Sequence, residues 1–516
     1  MRTTERRPGF RMSTIFLVAL SLSIGWGVRG QWGHETGAMI PGVMAALAAC
    51  LLSGREDWRE RMAHFAFFGA VGWYFGGSMS YGAVIGYTHS GHFPSQTFGL
   101  GSLFLIGFLW GAVAGAFSAL PAILDSKKLT SFYPALGVMV LAWVLPGALI
   151  ATGLLTEDQL DWRDSDWWMF LPSLLALLVY AGLRRHWDTG TSFLVHMLAG
   201  WWVGFLVLAT LLGLRMTPPR SDNWAGVVGM TGGIFLFFHR KHLHALSYVT
   251  ALVGLWGGIG FAGCDVLKLV GMKSGLATNW HSLLEQSYGF VNGIGIALAL
   301  GYLATRTDSV SEKSNVRPWT VPFAVAFCLL PVTYFNIRKN VEAIWLKYPS
   351  CEPVLRPEMY GLSAHTWFDL AYLCLAATLI LLWVWGRKRD LEVMPSSWLG
   401  KGQLFYLVFL WWIVLGNAAR LTPFHPQRLV TEGVIHVHAC ICTLLVLLLP
   451  RKEERIVPRE EAAHDKSAWK TLCWSVVLCV VLSLGGAGFL RLVHGHQVIG
   501  GGEPELRFQA SHSPLP

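Results

Sequence analysis

Arg29, Arg215, Arg220, Arg420 and Arg428 are the residues whose type and placement speak first for chemistry in this chain. Each stands at a turn between two apolar runs, on the side where membrane proteins place few basic residues. A guanidinium stays charged at any physiological pH and holds carboxylate or phosphate in a two-pronged fork. The clearest of these turns is SIGWGVRGQWGHETGAMIPG, residues 23–42, in which Arg29, His34 and Glu35 sit among glycines between two apolar stretches. Broken backbone at membrane depth is tolerated only where protein or a watery cavity satisfies its polar groups, and ionisable groups there point to function. Arg29, His34, Glu35, Arg215, Arg220, Arg420 and Arg428 are therefore the expected substrate-binding residues.

Carboxylates and a histidine at matching depth suit proton exchange, since burial shifts their protonation. Glu285 opens one apolar run and Glu432 another, with His436 one helical turn after Glu432. Asp265 precedes Lys268 by three residues, a spacing that favours a structural ion pair. Glu285, Asp265, Glu432 and His436 are the proton-coupling candidates. Glu432, His436 and Cys440 share a stripe at four-residue spacing, whereas His436 and His438 point to different faces of a helix. One helix offers too few ligands for a metal, so none is expected, and no cofactor either. There is no P-loop, dinucleotide fingerprint, nucleophile elbow or HExxH. The net charge of +9 is accounted for by loop arginines and lysines without any nucleic acid.

The elements that must position these groups are membrane helices. Of 516 residues, 53% are hydrophobic and 14% charged, and the mean hydropathy is +0.46. A soluble chain carries about 25% charged residues. Apolar runs long enough to span a bilayer fall near 13–28, 37–53, 63–86, 98–123, 133–155, 167–183, 191–214, 223–239, 244–267, 280–304, 318–336, 364–386, 402–419, 429–449 and 469–491. That predicts an all-α polytopic membrane protein of about 15 transmembrane helices (14–15). With the N-terminus inside, 26 of the 40 lysines and arginines fall on cytoplasmic loops, so the expected topology is N-terminus cytoplasmic and C-terminus extracytoplasmic. The basic N-terminal segment reads as an uncleaved first span. A bacterial inner membrane fits this pattern. Eight of the nine cysteines lie in apolar runs and Cys351 has no loop partner, which predicts no disulfide.

Internal similarity suggests parallel repeats starting at spans 1, 7 and 13. Gly76-Gly77, Gly257-Gly258 and Gly485-Gly486 each follow a hairpin carrying Arg29, Arg215 or Arg420 at its turn. The second and third turns share wording, Arg215-Met-Thr-Pro218 and Arg420-Leu-Thr-Pro423, and Gly107 and Gly111 match Gly289 and Gly293 at one constant offset. The copies divide the chain into 1–190, 191–400 and a partial repeat over 401–516, related by an axis along the membrane normal. Two functions fit. One is a secondary transporter or permease for a small anionic or zwitterionic solute, with an extracytoplasmic arginine and carboxylate vestibule. The alternative is an integral membrane transferase acting on a lipid-linked or phosphate-bearing substrate at that face. The expected partners are the lipid bilayer and a small-molecule or lipid-linked substrate.

Overall fold

A computed structural model describes residues 10–29, 35–218, 222–308, 317–341, 358–386, 394–449, 467–501 and 503–508. Its described residues are almost wholly helical; the exception is a two-residue hairpin, Glu358–Met359 against Leu362–Ser363, turned through Tyr360 and Gly361 at positive φ. Eleven of the described helices are long and apolar enough to cross a membrane. The Glu35–Leu51 and Glu432–Leu448 helices are apolar but shorter.

The remaining two runs differ from expectation for physical reasons. The run near 63–86 divides into Met62–Gly76 and Gly82–His89, because Gly77 and the residues after it end the first helix. Asn223–Arg240 is one helix of 18 residues, but its glycines and polar residues keep it less apolar than the others.

The chain forms two compact units, residues 1–77, 114–130 and 277–464 in one, and 78–113, 131–276 and 465–516 in the other. In the first unit the Met12–Arg29 helix is central, its residues 17–29 all buried. Glu35–Leu51 crosses Met62–Gly76 where Gly42 meets Gly69; a Cβ on Gly42 would lie 2.3 Å from the Gly69 carbonyl oxygen. Gly25 faces Pro41, the proline inside Glu35–Leu51, at equally close range. Removing side chains where backbones approach is how membrane helices pack without a hydrophobic driving force between them.

At the other end of this unit arginines hold helix C-termini. Arg61, fully buried, donates to the Pro121 and Leu124 carbonyls and to Ser126 Oγ. Arg55 donates to the Ala304, Thr307 and Asp308 carbonyls while pairing with Asp57 at 2.7 Å. The carbonyls that end a helix lack intrahelical donors and carry partial negative charge, which these cations satisfy.

In the second unit Thr189–Leu211 packs on Asn223–Arg240 through Gly200, Gly204, Gly229 and Gly233, and Phe93–Ile123 meets His244–Met272 where Gly107 touches the Gly257 carbonyl. Large apolar side chains face outward in both units. Within Ala364–Leu382 only Ala364 is buried, and Ala468–His494 exposes Val476, Val480 and Val481. Water tolerates no apolar surface this continuous, whereas lipid does. The structure is that of a helical protein suited to embedding in a membrane. Trp26, Trp58, Trp73, Trp110 and Trp201 are fully buried in the core. The described cysteines are all free, and Cys351 lies outside the described residues.

Candidate functional site

Four helix ends of the first unit meet at a polar cluster. Met12–Arg29 arrives at Arg29, and Trp280–Ala304 departs through Glu285. Trp398–Gly416 runs on into a short turn bearing Arg420, and Glu432 begins the Glu432–Leu448 helix. Gly27 lets them close together: a Cβ there would collide with Gln286 and Ile435. Trp26 floors the cluster, edge-on to Tyr288 at 4.6 Å and to Trp73 at 5.6 Å, with the Arg29 guanidinium 4.3 Å above its ring.

Arg420 is buried. One Nη donates to the Val28 carbonyl at 2.6 Å, while its Nε and other Nη are enclosed without a hydrogen-bond partner. Burial pushes its pKa down to about 10, with the Glu285 carboxylate pulling the other way, so it remains a cation at neutral pH. Glu285, buried, has His281 Nε2 at 3.5 Å. A narrow cleft runs between Gly27, Asn279, His281, Ser282, Glu285, Leu421 and Glu432. It has no room for even a water molecule, so the site is closed in this conformation.

Glu432 is held differently. Arg428 donates to Oε1 at 3.0 Å, Asn279 donates to the same oxygen and Thr431 to the other, and the carboxylate is wholly buried. Gln286 ties this corner to the Thr431 carbonyl at 2.8 Å. Three donors hold Glu432 in place as a structural group. His436 shares no hydrogen bond with it; both ring nitrogens are buried without partners, and the ring lies 5.9 Å from Phe424. Glu35, at the start of its helix, stands near enough to Arg29 and Lys339 to feel their charges.

Neutral amides complete the cluster. Thr320–Asn340 contains a π segment, Cys328–Val332, around Pro331, whose missing N–H and the wider turn break the regular register. Beyond it Asn336 is buried with neither side-chain atom bonded, and Asn340 donates to the Gly416 carbonyl with its own oxygen enclosed and unpartnered. Asn417, three residues before Arg420, gives its N–H to Ile413 and leaves Oδ1 buried and unpaired. These asparagines, Gln286 and His281 were not among the sequence candidates. The available signal was an amide at the polar end of an apolar run, as in TYFNIRKN and VLGNAAR.

Of the expected site residues, the structure thus gathers Arg29, Glu35, Glu285, Arg420, Arg428, Glu432 and His436 in one unit. Arg215 and Asp265 belong to the other. There Arg215 Nε stands 3.7 Å from the buried Asp222 carboxylate, which accepts no hydrogen bond. Burial raises the Asp222 pKa against the pull of Arg215 and Arg163. Asp265 is buried between Lys268 Nζ at 2.8 Å and Thr88 Oγ1, which donates to it at 2.7 Å. His34 and Arg220 lie outside the described residues. Among the described residues no three His, Cys, Asp or Glu side chains converge as metal ligands.

No protein-family model, curated protein or solved structure matches this chain.

Proposed function

We propose that the chain is a secondary transporter or permease for a small anionic or zwitterionic solute, bound at the cluster of Arg29, Arg420 and Glu285. The observation that carries this reading is the Arg420 guanidinium, buried with two donor positions unfilled and near enough to Glu285 to feel its charge. A buried cation with unmade hydrogen bonds is costly, and an oxyanion is the partner whose charge and geometry fit it. Arg29, Arg428 and Lys339 add positive charge, and Arg215 and Arg220 would serve a corresponding site in the second unit. Glu285, 3.5 Å from His281 Nε2, is the proton-coupling residue in this reading. In this reading the N-terminus is cytoplasmic, the cluster faces outward across a bacterial inner membrane, and the arginine turns reflect parallel repeats.

The alternative, an integral membrane transferase for a lipid-linked or phosphate-bearing substrate, draws on the confinement of the described cluster to one end of its helices. Uptake into proteoliposomes separates the two. A transporter accumulates a labelled small anion inside sealed vesicles, and Arg420→Gln abolishes that accumulation. Purified protein that binds the anion but never moves it across the bilayer would favour the transferase.

A further inference from the structure

The enclosed atoms around Arg420 describe a ligand more closely than charge alone does. Arg420 offers two unfilled charged donors. Asn417 and Asn340 each use their N–H elsewhere in the protein, to Ile413 and Gly416, so the oxygen left over on each can only accept. Asn336 has both its N–H and its oxygen unused. Asn417 lies three residues before Arg420, Asn340 reaches the residue before Asn417, and Asn336 stands one helical turn before Asn340. Native proteins leave few buried polar atoms unpaired, and each one costs roughly the desolvation of that group.

Resting on the reading of this cluster as a solute site, we propose that its ligand carries an oxyanion together with two or more O–H or N–H donors on the same small molecule. The oxyanion lies on Arg420, and the donors reach the amide oxygens of Asn417, Asn340 and Asn336. Polyhydroxy acids and α-amino acids share this chemistry, as does the headgroup of phosphatidylglycerol. Simple anions such as chloride or acetate fill the guanidinium and leave the amides bare.

The test uses the full chain in phosphatidylcholine nanodiscs, with thermal unfolding read in the presence of acetate, gluconate, serine or, in separate discs, added phosphatidylglycerol. Gluconate or serine is expected to raise the melting temperature at concentrations where acetate does not. Asn336→Leu, which removes only unpaired atoms, should leave the unliganded melting temperature unchanged or higher while weakening that ligand about three- to tenfold, the worth of one neutral hydrogen bond. A response confined to phosphatidylglycerol discs, and lost in Asn336→Leu, supports the same chemistry with a lipid as its source and turns the function towards the transferase. Equal responses to acetate, gluconate and serine overturn the donor requirement but leave an anion site standing. No response to any of them, with Arg420→Gln behaving as the parent, overturns the inference and the underlying function alike.

Discussion

At the scale of single residues, two carboxylates that look alike in sequence have different fates, decided by how many donors each receives. Glu432 accepts from Arg428, Asn279 and Thr431. Glu432→Gln keeps the shape and one acceptor but loses the charge, and about 1–3 kcal/mol of stability should go with it, read as a lower melting temperature with solute binding retained. Asp222 receives no hydrogen bond, and burial raises its folded pKa above its unfolded value. An acid with a raised folded pKa holds its proton more tightly when folded. Its contribution is therefore complete below the unfolded value, near 4, and is lost as pH rises through the folded value. Asp222→Asn should remove that loss, so a melting-temperature profile from pH 4 upward should fall less steeply than in the parent. A steeper fall in the variant would show that Arg215 holds the group ionised. The arginines and carboxylates of the cluster were legible in the sequence because charge in an apolar run has no neutral explanation. Asn336, Asn340 and Asn417 were not, since an isolated amide is compatible with any helix end.

At the scale of the helix, glycine and arginine do work that composition shows but does not place. The contacts separate glycines that permit close packing from those that face open space. Gly42→Ala would drive a methyl against the Gly69 carbonyl, overpacking worth about 1–3 kcal/mol. Gly137→Ala, in a helix position with no neighbour within reach, should instead gain up to about 1 kcal/mol from helix propensity. Opposite shifts in melting temperature for the two variants would confirm the assignment, and equal ones would refute it. The same separation applies to the basic residues near helix ends. The charge count treated Arg55 and Arg61 as loop residues, yet both are buried and hold helix C-termini. Their position in the chain was readable; their burial depended on the carbonyls of residues more than fifty positions away. Span lengths behaved similarly. Eleven long apolar helices follow the hydropathy pattern, while glycine breaks and polar residues, such as those in 62–89 and 223–240, blur the rest of the count.

At the scale of the whole chain, what remains to be fixed is direction across the bilayer, and hydropathy alone is silent on it. The charge distribution is not: the loops holding Lys127 and Lys128, Arg240 and Lys241 alternate with loops holding Lys273 and Arg420. Adding or removing a single span would reverse every loop beyond it, so four positions suffice to test the order. Asp125, His242, Leu276 and His425 are all exposed, at turns between helices, and a cysteine placed at each should fold normally in a background lacking the native cysteines. In right-side-out vesicles a membrane-impermeant maleimide should label Cys at 276 and 425 and spare 125 and 242 until the membrane is opened. The reverse pattern would invert the topology and turn the arginine cluster toward the cytoplasm, where basic residues need no special reason. A mixed pattern, with 125 and 242 on opposite sides, would mean that one of the four helices between them, Asn223–Arg240 being the least apolar, does not cross. The first result would preserve the argument that arginine at these turns is retained for a ligand. The second would remove its topological support and leave it resting on the unfilled donors of Arg420 alone.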